Sequence, residues 1–328
     1  MSNLQRNLLP PALSTTTDGR PRHVGFEIEF GGLTFERCLD ALRASIGRDV
    51  RHISPVEATI VHPDFGEFTL DLDWQFLKQQ AKADLIEDDV VKTIASVAGT
   101  VVPLELVFPP IDVAQLDQTN EIVESLIDAG ATGTDESFLF AFGVHINTEI
   151  PELRAPCIVR YLKAYCILQD YLVEAHGVNA ARRISPYVDL YPPGYLARVL
   201  GYSRPDMDTV ITDYLQMNAT RNRALDMLPL FSTIDEEKIR ARVPDNRIKK
   251  RPAFHYRLPN CDIGTRDWSL ITEWNRWCLI EVLANDEDQL QALATEYQKR
   301  LRADRFSTDA RWLDYIRGIA NQINLHED

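Results

Sequence analysis

Acidic side chains occupy alternate positions in short apolar segments, a spacing that suits a metal site. The first such segment reads Val24-Gly25-Phe26-Glu27-Ile28-Glu29-Phe30. Successive side chains of a strand point to opposite faces, so Glu27 and Glu29 share a face that the aromatic residues do not. The same alternation of apolar and polar residues returns in four later segments, at 68–74, 104–108, 142–147 and 254–258.

The polar faces of these segments carry side chains that bind cations or phosphates. Carboxylates crowded on one face of a sheet are unstable unless they share protons or hold cations. Carboxylate oxygens suit a hard divalent cation, and the planar guanidinium of Arg257 suits phosphate. The alternative is that each segment is the solvated face of an ordinary amphipathic strand. The candidates are Glu27, Glu29, Asp71, Asp73, Glu105, His145, Asn147, His255 and Arg257.

Composition restricts the class of partner. The chain has 328 residues, a hydrophobic fraction of 45% and a formal net charge of −14. Such an acidic balance argues against nucleic acid and against anionic membrane surfaces as partners. The five cysteines are widely spaced without C-x-x-C, which favours buried thiols in a reducing cytoplasm. We see no secretion signal and no membrane-spanning run, so we expect a cytoplasmic protein.

The order of the elements predicts an α+β fold. Helical spacing from Phe35 to Ile46 follows the first strand, and a further helix is expected at 78–97. Helices then accumulate towards the C-terminus, so strands and helices do not alternate regularly as in a doubly wound parallel sheet. We therefore expect a mainly antiparallel sheet backed by helices, with a helical C-terminal part. We expect residues 1–21 to form a flexible N-terminal arm and residues 22–328 to form a single catalytic domain.

The common phosphate-binding and nucleophile motifs are missing from the sequence. The chain instead resembles the amidoligase family, carboxylate–amine ligases related to glutamine synthetase and glutamate–cysteine ligase. The resemblance covers about residues 22–258 and is carried by four motifs taken together: the HVGFEIEF run from His23, LELVFPP from Leu104, GVHIN from Gly143, and FHYRL from Phe254.

The resemblance implies a curved antiparallel sheet of the glutamine-synthetase catalytic type, whose concave face binds ATP and Mg²⁺. Family members often carry H-x-H on the fourth strand, where this chain has Asn147 in place of the second histidine. The acid of the second strand is open among Glu67, Asp71 and Asp73, of which we select Asp73. By motif match, Glu27, Glu29, Glu105, Asp73 and His145 are candidate metal ligands, and Arg257 and His145 are candidate catalytic residues. Our candidates for contacts with ATP are Arg257, Asn147 and Arg221, the last of which could equally be a surface residue at a helix end.

The function expected from these residues is ATP- and Mg²⁺-dependent ligation of a carboxylate to an amine through an acyl phosphate. The substrates would be small molecules or peptides. The sequence determines neither their identity nor the oligomeric state. The alternatives are a metal-dependent hydrolase or phosphodiesterase that uses the same acidic cluster, and a non-catalytic binding relative. The charged segment from Ile234 to Arg251 is expected to form a lid over ATP, with a plain solvated loop or surface helix as the alternative.

Overall fold

The structure is a computed structural model that describes residues 7–72, 103–134, 142–178, 188–265, 268–302 and 310–322. The chain divides into two compact units. Among the described residues, unit 1 contains His23–Ile146 and Pro259–Thr272, and unit 2 contains Asn7–Arg22, Asn147–Leu258 and residues from Glu273 onwards.

Unit 1 is built on a mainly antiparallel sheet. Its strands are β1 (His23–Phe30), β2 (Val50–Ser54), β3 (Glu57–His62), β4 (Gly66–Leu72), β5 (Leu104–Val107), the short β6 (Ile111–Asp112) and the first part of β7 (Val144–Thr148). The order across the sheet is β2-β3-β4-β5-β1-β7, and β6 pairs with the beginning of β1. The boundary between the units falls within β7, after Ile146.

The alternation of the sequence gives this sheet one apolar face. Phe26, Ile28 and Phe30 of β1 are fully buried, as are Phe68 and Leu70 of β4. Helices α1 (Phe35–Ser45) and α2 (Thr119–Ala129) pack against each other, and a 3-10 helix (Val113–Gln118) leads into the second of them. Thr34 caps α1 by accepting a hydrogen bond from the Arg37 amide, which satisfies one of the free donors at the helix start.

Unit 2 is mostly helical. Its helices are α3 (Ala155–Ala175), α4 (Pro193–Leu200), α5 (Met207–Met217), α6 (Leu228–Ile234), α7 (Glu236–Arg242), α8 (Leu270–Asn285), α9 (Glu287–Arg302) and α10 (Ala310–Gln322), with α8 beginning three residues before the boundary. The strands β8 (Leu225–Asp226) and β9 (His255–Tyr256) pair antiparallel, and the Phe254 amide donates to the Thr148 carbonyl of β7.

A buried ion pair ties the N-terminal segment to the core of unit 2. Arg22 and Glu281 have fully buried side chains whose Nη2 and Oε1 atoms are 2.8 Å apart. Arg22 also donates to the backbone carbonyls of Leu13 and Glu149, and Tyr161 donates to Glu281. Burial of two charges is tolerated only when both are satisfied in this way.

The α+β class and the antiparallel sheet are confirmed, while the curvature and the glutamine-synthetase type stay predictions. The strand expected at 254–258 is shorter than predicted, and the 234–251 segment includes helix α7, anchored by the buried side chain of Ile239. The helix expected at 78–97 lies outside the described residues. The domain boundaries and the flexibility of residues 1–21 stay predictions, although residues 7–22 belong to unit 2. Within the described ranges, no helix is long and apolar enough to cross a membrane.

Candidate active site

A row of four carboxylates crosses the polar face of the unit 1 sheet. The strand registers place Glu57 opposite Asp71, Asp71 opposite Glu105, and Glu105 opposite Glu29. Directly opposed residues on neighbouring strands share a face, with Cβ atoms about 4.5–5.5 Å apart. All four side chains belong to partly buried residues. We call Glu57, Asp71, Glu105 and Glu29 the carboxylate row.

Strand β7 adds a histidine to this face, and Gly143, the residue just before β7, adds a backbone donor. The Nδ1 atom of His145 lies 2.8 Å from Oε2 of Glu27, and His145 is only 7% exposed. The Gly143 amide donates to Oε2 of Glu29 at 2.7 Å, and the Glu29 amide donates to the Gly143 carbonyl. Both glutamates of β1 are therefore held in place by β7, one through a side chain and one through the backbone.

The register separates the candidates for the acid of the second strand. Asp71 belongs to the carboxylate row, whereas Glu67 lies opposite Val61, is half exposed and pairs with the surface Arg51. Asp73, our sequence-based choice, lies outside the described residues. Among the described candidates, Asp71 is thus the one that the fold brings next to Glu105.

Unit 2 carries a second polar cluster, centred on His255 of β9. Arg257 Nη1 lies 3.1 Å from Nε2 of this histidine, and donation there leaves the ring proton on Nδ1. Nδ1 then donates to the Asn147 side-chain oxygen at 2.7 Å, and Arg251 Nη2 lies 2.8 Å from the same nitrogen. The buried imidazole thus accepts a hydrogen bond from Arg257 and donates one to Asn147, while Arg251 lies against the same side of the ring as Asn147.

A buried carboxylate, Asp226, accompanies these arginines. Asp226 lies opposite His255 in the pairing of β8 with β9 and is 1% exposed. Burial raises the pKa of Asp226 to about 6, while the Leu228 amide and the positive charges of Arg257, Arg221 and Arg251 act in the opposite direction. Burial also lowers the pKa of Arg221, and repulsion from nearby arginines adds to that effect. We call Arg221, Arg251 and Arg257 the arginine cluster.

Sequence reasoning missed Glu57, Asp226 and the role of Arg251. Glu57 is the first residue of β3, directly after the turn at Pro55 and Val56, so its facing partner is visible only from the register. Asp226 belongs to a two-residue strand, which is too short to give a periodic pattern. Its position between the apolar Leu225 and Met227 could still have marked it as a buried acid. Arg251 follows two lysines in sequence, a run typical of a solvated surface or of a basic loop over phosphates, and only its contact with His255 sets it apart.

The donor chemistry of unit 1 fits a divalent metal. Like charges directly opposite each other destabilise a sheet, and a cation is the usual remedy for such a row. The oxygens of Glu29, Glu105, Asp71 and Glu27 are hard ligands of the kind that Mg²⁺ and Ca²⁺ take, and His145 adds a nitrogen ligand. The chemistry of these donors therefore suits a divalent cation, and among the described residues of unit 1 Glu27 and His145 are the ones that bring ligand atoms close together.

The carboxylate row of unit 1 suits cations, and the arginine cluster of unit 2 suits anions. The model of the family described as "Putative amidoligase enzyme" matches residues 20–279. The chain belongs to this family, which supports a ligase-type enzyme and confirms the resemblance seen in the sequence. No curated protein matches the chain.

Proposed function

We propose that the chain ligates a carboxylate to an amine in a reaction that consumes ATP and requires Mg²⁺. The observation that carries the proposal is the carboxylate row, since four opposed acids on one sheet face suit the binding of a cation. Glu29, Glu105, Asp71, Glu27 and His145 would hold Mg²⁺, and Asp73 stays a further candidate ligand. When bound, the metal would neutralise the negative charge of the triphosphate.

The reaction would proceed in two displacement steps. An oxygen of the substrate carboxylate attacks the γ-phosphorus, the bond from that phosphorus to the β–γ bridging oxygen breaks, and ADP leaves. The amine nitrogen then attacks the acyl carbon, the carbon–oxygen bond to phosphate breaks, and the amine loses a proton. The products are an amide, phosphate and ADP. An acyl phosphate is necessary because a free carboxylate resists attack by an amine.

The arginines would serve the phosphoryl group. Phosphoryl transfer is chiefly a matter of positioning and electrostatic stabilisation, and guanidinium groups provide both. Arg257 is our candidate for stabilising the transferring group, with Arg221 and Asn147 as further contacts to ATP. The hydrogen bond from Arg257 to His255 limits the rotation of its long side chain, which favours a fixed donor geometry.

The test is release of ADP and phosphate in a screen of amino acids and dipeptides with Mg²⁺ and ATP. Glu29→Gln and Glu105→Gln should each lower the rate by at least about 100-fold, the usual effect of losing a strong electrostatic contact. Glu67→Gln is the matched control, because it removes an acid from the same sheet but outside the row. Full turnover in both row variants would refute the assignment.

A metal-dependent hydrolase is the second candidate, and the pairing of Glu27 with His145 favours it. That pair could accept a proton from an attacking water without any nucleotide. Thermal stabilisation distinguishes the two functions. The ligase predicts stabilisation by Mg²⁺ with a non-hydrolysable ATP analogue, whereas the hydrolase predicts stabilisation by Mn²⁺ or Zn²⁺ alone with the analogue inert.

A further inference from the structure

Asp226 is a buried carboxylate with only one of its two oxygens satisfied within the described part of the chain. One carboxylate oxygen, Oδ1, accepts a hydrogen bond from the Leu228 amide at 2.9 Å. The other oxygen, Oδ2, is buried and has no hydrogen-bond partner within the described part of the chain. Burying a carboxylate is unfavourable, and leaving one oxygen unsatisfied adds to the penalty. An asparagine at this position would keep the Leu228 contact at lower cost.

The three members of the arginine cluster all act on this carboxylate. Their positive charges each favour the ionised form of Asp226. Two of them, Arg251 and Arg257, also contact opposite nitrogens of the His255 ring. Guanidinium groups held this close repel one another, and the lowered pKa of Arg221 reflects that repulsion in part. A fixed negative charge among them offsets the repulsion without using solvent or a mobile side chain.

We infer that Asp226 is a positioning residue that holds the arginine cluster ready for a doubly charged phosphoryl group. The inference rests on the proposed function, because it assumes that the cluster binds the phosphates of ATP. Three guanidinium groups and one carboxylate leave an excess of two positive charges, which matches a phosphoryl dianion. This count covers only the three guanidinium groups and the carboxylate, and His255 lies between Arg251 and Arg257 as a hydrogen-bonding group.

In this arrangement the guanidinium groups of the arginine cluster would be preorganised for their ligand. Donors that are fixed before the ligand arrives do not have to be ordered on binding, so affinity rises without any new contact. Without the Asp226 charge, the guanidinium groups would separate and would have to be gathered again by each ligand. Asp226 would therefore act through the arginines and would not itself touch the phosphate.

The test compares Asp226→Asn with Asp245→Asn by calorimetric titration with a non-hydrolysable ATP analogue and Mg²⁺. Both variants remove one negative charge close to Arg221, but Asp245 is partly exposed, and its carboxylate is 4.0 Å from Nη1 of Arg221. We expect about tenfold weaker binding for Asp226→Asn, equivalent to about 1.4 kcal/mol. For Asp245→Asn we expect a change of less than about threefold, because solvent screens that pair.

Thermal unfolding of the same variants separates a positioning role from a structural one. Asp226→Asn removes an unfavourable buried charge, so we expect its melting temperature to equal or exceed that of the wild type. A clear fall in melting temperature would show that Asp226 supports the fold, and would overturn the inference.

Three titration results would also count against it. Wild-type affinity in Asp226→Asn, or an equal loss in Asp245→Asn, would overturn the positioning role while leaving the proposed function intact. Failure of the wild-type protein to bind the analogue would overturn both.

Discussion

Replacing Glu105 by glutamine should stabilise the metal-free protein and remove most of its response to Mg²⁺. Glu105 lies in the middle of the carboxylate row, opposite Asp71 on one side and Glu29 on the other. A like-charged pair directly opposed on two strands destabilises by roughly 0.2–1 kcal/mol. Losing both pairs should therefore raise the free energy of unfolding by roughly 0.4–2 kcal/mol when no divalent cation is present.

Saturation with Mg²⁺ should make the wild type more stable to unfolding than Glu105→Gln. A ligand at a hundredfold excess over its dissociation constant stabilises the folded state by about 2.7 kcal/mol. The wild type should gain this amount, whereas the glutamine variant lacks a central ligand and should gain much less. Urea unfolding of both proteins, each measured in EDTA and in Mg²⁺, gives the four free energies of unfolding that this comparison needs.

Glu67→Gln controls for a general loss of charge from the sheet. Its carboxylate pairs with Arg51, and both side chains are at least half exposed, so we expect a change of less than about 1 kcal/mol. Its response to Mg²⁺ should match that of the wild type. The reasoning fails if Glu105→Gln is less stable than the wild type in EDTA, or if it keeps the full response to Mg²⁺.

Two further predictions concern buried charges of unit 2. The pKa of Asp226 in the folded protein, about 6, lies above the ordinary aspartate value of 3.8. Stability is therefore lost as the pH rises between these two values, by about 3 kcal/mol. Urea unfolding should show Asp226→Asn gaining that amount relative to the wild type between about pH 4 and pH 7, and a constant difference would contradict the burial argument. Arg22→Met should lower the free energy of unfolding by about 3–5 kcal/mol, because Glu281 then keeps a buried charge without its partner. Adding Glu281→Gln should recover part of that loss, and no recovery would mean that the packing of Arg22 matters more than its charge.

Periodicity predicted the elements of unit 1 because burial there follows a simple alternation. The β1 pattern places Phe26, Ile28 and Phe30 on one face and both glutamates on the other, as the structure has them. The helix expected from Phe35 to Ile46 matches α1 within one residue. In these segments the hydrophobic pattern and the local propensities agree, so neighbouring residues alone determine the element.

The composition of the carboxylate row could not be predicted, because register is not a local property. A shift of one residue between β4 and β5 would place Leu70 or Leu72 opposite Glu105. Asp71 would then face an apolar residue of β5 and would leave the carboxylate row. Motif matching left three acids open on the second strand, and only pairing across strands separates Asp71 from Glu67. The two-residue strands β8 and β9 pose the same problem more strongly, since their positions depend entirely on partners distant in sequence.

Unit 1 carries a row of negative charges and unit 2 a cluster of positive charges, and this difference bears on the choice between ligase and hydrolase. The carboxylate row of unit 1 requires cations, which either enzyme would supply. The arginine cluster of unit 2 suits an anion, which the ligase would supply as the phosphates of ATP and a phosphodiesterase as its own substrate. A hydrolase with an uncharged substrate would leave these arginines without an anionic ligand. Substituting Arg257 by glutamine should therefore abolish stabilisation by the ATP analogue and leave stabilisation by Mg²⁺ alone unchanged, whereas the hydrolase predicts no effect on either.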